Sequence, residues 1–278
     1  MTTRQENGKP MSEQRRLDID IADVNELYGG PGGALWELLM GEQIHVGGAA
    51  ETDILAQKAG IGPDSHVLDV GSALGGPARY LAAHYGCRVT GLDATQHLVS
   101  EAVRRTELAG LADRVQYRLG NALDMPFHAN TFDVVWGQDA WCYITDKGRL
   151  MHECARVVKP GGVVAFTDWL ETGPLSDAQW TALNTFMVFP YIETIAGYVA
   201  LAEAAGLVVA EKEDLTPHFA AHVQAYLDMV EHEYRQQIIA GYGQDMYNQV
   251  LSGLTLWRDA AASGHVGRAR FIVRKPAV

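Results

Sequence analysis

Cysteine is scarce: three residues in 278, an odd number, leave no room for a disulfide framework. A chain of this size needs no such staples, so the expected compartment is reducing, read here as the cytoplasm. Basic side chains are also few, 22 against 34 acidic ones, for a formal net charge of −12. That balance repels phosphate backbones and anionic lipid, so neither nucleic acid nor a membrane is an expected partner. Long apolar runs are missing. The stretch from Val157 to Phe166 is broken by Lys159, Pro160 and two glycines, far short of the roughly 20 residues that a bilayer crossing requires. Residues 1–20 are polar with mixed charge and have no apolar h-region, so no secretory signal is expected there. No repeat or low-complexity segment interrupts the chain. At 47% hydrophobic, it has material for one large domain or for one domain with a substantial insert, taking about 150 residues per domain.

The pattern divides the chain into an arm (1–20), a helical flap (21–52), a central domain (53–170) and helices interleaved with the last two strands (171–278). In the flap, Leu27, Leu35, Leu38 and Leu39 recur at near-helical spacing around Gly29-Gly30-Pro31-Gly32-Gly33, which reads as helix, glycine hinge, helix. Gly41-Glu-Gln-Ile-His-Val-Gly-Gly48 reads as a loop. Beyond it, short β-branched runs alternate with amphipathic stretches, the mark of βαβ units. Strands are expected at 66–70, 88–92, 115–119, 132–136, 163–167, 207–213 and 268–274, with helices at 76–84, 96–109, 147–158 and 196–205. Residues 171–194 read as a Pro- and Gly-marked segment, and 217–262 as a helical insert. The expected fold is α/β: a Rossmann-like doubly wound, mostly parallel sheet with an antiparallel last strand.

The chemistry concentrates in Val67-Leu-Asp-Val-Gly-Ser-Ala-Leu-Gly-Gly-Pro-Ala-Arg-Tyr-Leu81, an apolar strand breaking into a Gly-rich turn that opens a helix. Such glycines let a ligand approach the backbone, and the helix start offers unpaired N–H donors. Asp93 ends the next strand, about 20 residues on, where a carboxylate can accept both hydroxyls of a ribose. A turn alone is also compatible with a purely structural role. NAD and S-adenosylmethionine both use this geometry. Asp69, two residues before Gly71, favours the second, because a carboxylate attracts a cationic methionyl amino group and repels a pyrophosphate.

Gly120-Asn-Ala-Leu-Asp-Met-Pro-Phe127, Phe132-Asp-Val-Val-Trp-Gly-Gln-Asp139 and Glu153-Cys-Ala-Arg-Val-Val-Lys-Pro-Gly-Gly162 follow in order. With the Gly-rich turn they resemble the successive motifs of class I S-adenosylmethionine-dependent methyltransferases, from about Asp53 to Arg274. The resemblance implies that Gly71, Ser72 and Gly75 line the methionyl moiety and Gln138 its end. It also implies that Asp93 holds the ribose, Ala94 packs on the adenine and Asn121, Ala122 and Leu123 meet its edge. Ala73 and Leu74 stand where the family often has another glycine.

The loop 41–48, Gln138-Asp-Ala-Trp-Cys-Tyr-Ile144 and the tail from Leu256-Trp-Arg-Asp to Arg274-Lys-Pro276 look like sarcosine/dimethylglycine N-methyltransferases, which make glycine betaine. They are similar also to phosphoethanolamine methyltransferases. In the latter the loop folds over the cofactor, which implies contacts from Ile44 and His45, and a tyrosine matching Tyr28 belongs to a catalytic latch. Its partner in both families is typically a histidine; here Tyr143 stands in that place.

An amine must be neutral to attack, so any base needs only to take its proton; Tyr28, Tyr143 and His45 are the candidates. A nitrogen that becomes quaternary is stabilised by aromatic faces, and Trp141, Tyr143, Trp169, Phe189 and Tyr191 are the candidate acceptor cage. Several of these equally suit core packing. His222 is the candidate partner of an acceptor carboxylate. No metal is expected: His152, Glu153 and Cys154 diverge on one helix, and His218 and His222, though four apart, have no further ligand placed with them. Lys159-Pro160-Gly161-Gly162 lacks the Ser/Thr of a phosphate loop. The resulting expectation is methyl transfer to the nitrogen of a small amine such as sarcosine or dimethylglycine, by a monomer or homodimer. The alternatives are O-, N- or C-methylation of a natural-product scaffold, or a fold that keeps the cofactor for non-methylating chemistry.

Overall fold

A computed structural model describes residues 15–277. Its core is a seven-stranded sheet of β1 (His66–Val70), β2 (Arg88–Asp93), β3 (Val115–Leu119), β4 (Phe132–Gln138), β5 (Val158–Glu171), β6 (Val208–Asp214) and β7 (Val266–Arg274). The order is β3-β2-β1-β4-β5-β7-β6. β1 pairs in parallel with β2 and β4, β2 with β3, and β4 with β5; β7 alone runs antiparallel, inserted between β5 and β6. β5 is longer than its β-branched run suggests because β7 pairs with it from Val163 to Glu171.

The strand order reverses at β1 and β4, and in such sheets the crevice outside the carboxyl ends at that point receives ligands. Register brings the ends together: Asp69 lies beside Trp136 of β4, and Val70 beside Leu92 of β2. The Gly-rich turn, Asp93 and Gln138 therefore emerge side by side.

Helices α1 (Ile21–Gly29) and α2 (Pro31–Met40) form the flap. Asp20 and Asp23 build a capping box at the first, and Pro31 opens the second, where its missing N–H costs nothing. Next come α3 (Gly48–Ala59), α4 (Gly76–Tyr85), α5 (Gln96–Leu108) and α6 (Lys147–Val157), then α7 (Asp177–Met187), α8 (Ile195–Ala204), α9 (Thr216–Asp228) and α10 (Arg235–Ala262). Two helices depart from the sequence expectation. α3 begins at the paired glycines that read as the end of a loop, and its buried apolar face is only Leu55, Ala56 and Ala59. α7 occupies the middle of the segment read as Pro- and Gly-marked; its capping box, Ser176 with Gln179, is the signal that marks it. The insert is not continuous: a π-helical turn (Met229–Glu233) separates α9 from α10, and Gly243 kinks α10 at φ +89°.

Of the arm, residues 1–14 lie outside the described part. The rest is docked: the Leu17 amide donates to the Pro190 carbonyl, and Arg15 pairs with Glu171 at 2.6 Å. Two cores fill the faces of the sheet, and a third joins α2 to α7, α9 and α10. At its centre the Trp169 ring of β5 meets Phe219 and Trp257 edge-on, each at 4.9 Å between centroids.

Candidate active site

The turn after β1 is shaped by backbone requirement. Gly71 has φ +81°, and a Cβ there would lie 2.6 Å from the Ala140 Cβ. Ala73 holds φ +44°, a left-handed conformation that costs a residue with a Cβ roughly 1–2 kcal/mol; this is the place where the family often has glycine. The turn is held by Asp93, whose carboxylate oxygens accept from the Ala73 and Thr95 amides at 2.9 Å each. Burial pushes the Asp93 carboxyl up, and those amides work against the rise.

Above the turn opens a cavity of about 290 Å³, close to the size of ordinary small-molecule sites. Gly71, Ser72, Asp93 and Ala94 line it, as do Asn121, Ala122, Leu123 and Gln138. Tyr28 and Ile44 close it from the flap. Two expected members are elsewhere. Gly75 caps α4 and a Cβ on it would meet the Tyr117 hydroxyl at 2.0 Å, so it serves packing. His45 faces the neighbouring cavity instead.

Three residues that line this cavity each carry a buried polar atom with no partner: Asp69 Oδ2, Ser72 Oγ and Gln138 Nε2. A buried unpaired polar group is costly unless a ligand completes it. Burial, aided by the Asp93 charge, raises the Asp69 carboxyl to about 7. An acceptor pair in two acids, a hydroxyl and an amide donor suit a ligand with an ammonium, a carboxylate and a diol. A pyrophosphate meets two acids and no free cation among the described lining residues.

A second cavity, only about 10 Å³, adjoins the first and is lined by Trp36, Met40, His45, Trp169, Met187 and Phe189. Tyr28, Ile44, Asp139 and Tyr143 line both. Room for about one water means that an acceptor must spread these walls. The Tyr28 hydroxyl donates to that of Tyr143 at 2.9 Å, and the Tyr143 ring meets Phe189 edge-on. Burial raises both phenols well above their ordinary range. His45 is buried, with Nδ1 3.2 Å from the Val46 carbonyl and Nε2 3.0 Å from Thr52 Oγ1; burial pushes it down to about 4.

Of the candidate cage, Trp169, Phe189 and Tyr143 are brought together, and Trp141 and Tyr191 are not. Trp141 lies beneath the sheet end, stacked on Phe166 with its indole N–H on the Val70 carbonyl. The indole packs against the bare backbone of Gly137, where a Cβ would meet it at 2.2 Å. Tyr191 turns its ring to Lys147 and Arg16. His222, exposed on α9, lines neither cavity, and desolvation lowers it.

Sequence reasoning missed Trp36, Met40 and Met187, which carry no chemical motif, and Asp139, which does. Asp139 sits at φ +53° just after β4. Its oxygens accept from the Val46 amide at 2.9 Å, from Thr167 Oγ1 at 3.0 Å and from Arg268 Nε at 2.7 and 3.0 Å. Arg268 reaches on to Glu51 of α3 at 3.4 Å. The Gln-Asp pair ending an apolar strand was the available signal. Among the described residues no group of three or more His, Cys, Asp and Glu is placed to hold a metal ion.

Residues 68–166 match the family model described as a methyltransferase domain. The chain carries a methyltransferase domain. Its fold is that of class I, S-adenosylmethionine-dependent enzymes. The glycine/sarcosine/dimethylglycine N-methyltransferase of Actinopolyspora halophila is 32% identical over 76% of this chain, which spans only 37% of that protein. The sarcosine/dimethylglycine N-methyltransferase of Halorhodospira halochloris is 29% identical over 77% of each. A phosphoethanolamine N-methyltransferase of Haemonchus contortus, solved with phosphomonomethylethanolamine and S-adenosylhomocysteine, superposes with a TM-score of 0.82 at 25% identity. That match covers 90% of this chain and 58% of the other. The matched segment thus supplies the turn, Asp93 and Gln138, while the second cavity combines its Asp139 and Tyr143 with residues of the flap, Trp169 of β5, and Met187 and Phe189 beyond it.

Proposed function

We propose that this chain transfers a methyl group from S-adenosylmethionine to the nitrogen of a small amine of the sarcosine or dimethylglycine kind. The observation that carries the reading is the set of three partnerless polar atoms, Asp69 Oδ2, Ser72 Oγ and Gln138 Nε2, around a cavity whose far end is Asp93. The Actinopolyspora and Halorhodospira relatives support the acceptor class. Bound there, the cofactor would supply a methyl group already activated by its sulfonium. Asp69 would hold the ammonium, Asp93 the ribose hydroxyls, Ala94 and the 121–123 segment the adenine, and Tyr28 and Ile44 the roof.

What the chain itself adds is positioning and exclusion of water. Aligning nucleophile and electrophile can supply about 7–11 kcal/mol. Tyr28 and Tyr143, with raised phenols, stay protonated at neutral pH and orient by donating rather than by removing a proton. His45, neutral above about pH 4, is free to accept a proton at a ring nitrogen, but weakly. The amine therefore reaches the site already neutral, its ammonium form disfavoured by the apolar walls. Trp169 and Phe189 would then stabilise the positive charge that forms on nitrogen. The buried, unpaired Cys87, Cys142 and Cys154 fit a reducing, cytoplasmic setting.

A second reading is favoured by Tyr143, which stands where both amine-methylating families typically have histidine, and by a second cavity whose walls are mainly aromatic and thioether: methylation of a larger scaffold on O, N or C. Radiolabelled methyl transfer with glycine, sarcosine, dimethylglycine, ethanolamine phosphate and small phenols separates the two. Label in the N-methylated amines supports the first reading, and label in phenols alone supports the second. No S-adenosylhomocysteine release with any acceptor overturns both in favour of a non-methylating use of the fold.

A further inference from the structure

Thr52, on α3, belongs to no motif, is fully buried, and lines neither cavity, yet its hydroxyl stands between the two. Oγ1 lies 3.0 Å from Gln138 Oε1, 3.1 Å from Gln43 Oε1 and 3.0 Å from His45 Nε2. Gln138 and Gln43 face the larger cavity and His45 the smaller. A hydroxyl has one proton to give and two lone pairs to receive.

The destination of that proton follows from which partners can reverse. Gln138 Oε1 also accepts from the Trp136 indole N–H at 3.2 Å. An indole is a donor only, so a reversed Gln138 amide would set N–H against N–H. A neutral His45 gives its one proton from Nδ1 to the Val46 carbonyl, which can only accept, so its Nε2 is an acceptor; Gln43 is free to turn its NH2 towards both Oγ1 and that Nε2, 3.4 Å away. An arrangement that gives each of the four groups a partner has Gln43 donating to Thr52 and to His45, and Thr52 donating to Gln138. With its oxygen gripped from two sides, the Gln138 amide leaves Nε2 as a buried donor with no partner in the protein, on a residue that lines the cavity.

We propose that Thr52 is a positioning residue which, with Trp136, holds the Gln138 carboxamide donor-outward and so makes the cavity select ligands that carry the amino-acid carboxylate. The proposal rests on the reading of that cavity as the S-adenosylmethionine site. A hydrogen bond to a charged group is stronger than one between neutral groups, and an amide free to turn forfeits much of it.

Calorimetry with S-adenosylmethionine and with its decarboxylated analogue, which differ by that carboxylate alone, tests the assignment. Wild type prefers the intact ligand. Thr52→Val is expected to weaken S-adenosylmethionine about tenfold while leaving the decarboxylated analogue unchanged, and Thr52→Ser to restore the preference. Should Thr52→Val fail to fold, Thr52→Ala carries the same comparison. Equal weakening of both ligands, or no change in either, overturns the role of Thr52. A wild-type protein that binds neither ligand overturns the reading of the cavity itself.

Discussion

The hydroxyl of Tyr28, at the end of the first flap helix, donates to the hydroxyl of Tyr143, just beyond β4, at 2.9 Å. The two rings stand nearly perpendicular, 74° apart with centroids at 5.4 Å. This contact crosses the wall common to both cavities. Tyr28→Phe removes the donor and keeps the ring. Misplacement of a reacting partner costs about a hundredfold, so turnover is expected to fall by up to that factor while affinity for the methyl donor changes less than threefold. Steady-state kinetics beside calorimetry checks this; full activity removes the pair from the mechanism.

Asp69 makes donor binding depend on pH. Burial keeps its carboxyl protonated up to about pH 7, yet an ammonium ligand needs the anion. Binding below that pH therefore expels a proton, and affinity is expected to drop by up to tenfold for each unit of acidification below pH 7 and to level off above it. The same raised value means that the free folded protein binds more protons than the unfolded chain between about pH 4 and 7, so this group lowers stability as pH rises through that window. Titrations in buffers of different ionisation enthalpy count the released proton directly.

The two aromatic roles separate cleanly. Phe189→Leu trims a wall of the acceptor cavity, and a lost cation–π face of about 0.5–2 kcal/mol predicts an acceptor KM raised twofold to thirtyfold, in those rough bounds. Trp141→Phe, beneath the sheet, is expected to leave KM unchanged and to lower the melting temperature. Equal kinetic effects from both would return Trp141 to the cage.

Arg268 is the hinge of the buried charges. Its removal strands Asp139 in a dry interior, while Glu51 keeps Arg270 at 2.8 Å; a broken buried pair costs about 3–5 kcal/mol. Arg268→Met is expected to unfold at markedly lower urea, and Asp139→Asn, which keeps two of the accepting contacts, to lose less.

The sheet and the turn were legible because their signals are local: β-branched runs of the right length, a glycine turn, an acid at the next strand's end. Five of the seven strands end within one residue of expectation, the exceptions being β4 and β5. What the sequence hides is convergence. Trp36 and Met187 reach the second cavity from two different helices, Thr52 stands behind both cavities on a third, and nothing in any one segment announces the meeting. Trp141 misled for the opposite reason, since a tryptophan after a strand suits either a ligand or a core, and only the bare backbone of Gly137 decided between them.

Because β7 threads between β5 and β6 rather than lying along the rim, Arg268 and Arg270 reach their carboxylates only when residues 266–274 are in place. A nascent polypeptide still tethered at that point keeps Asp139 without its counter-ion and β6 without a neighbour, so assembly of the catalytic end waits for almost the whole of this sequence to leave the ribosome.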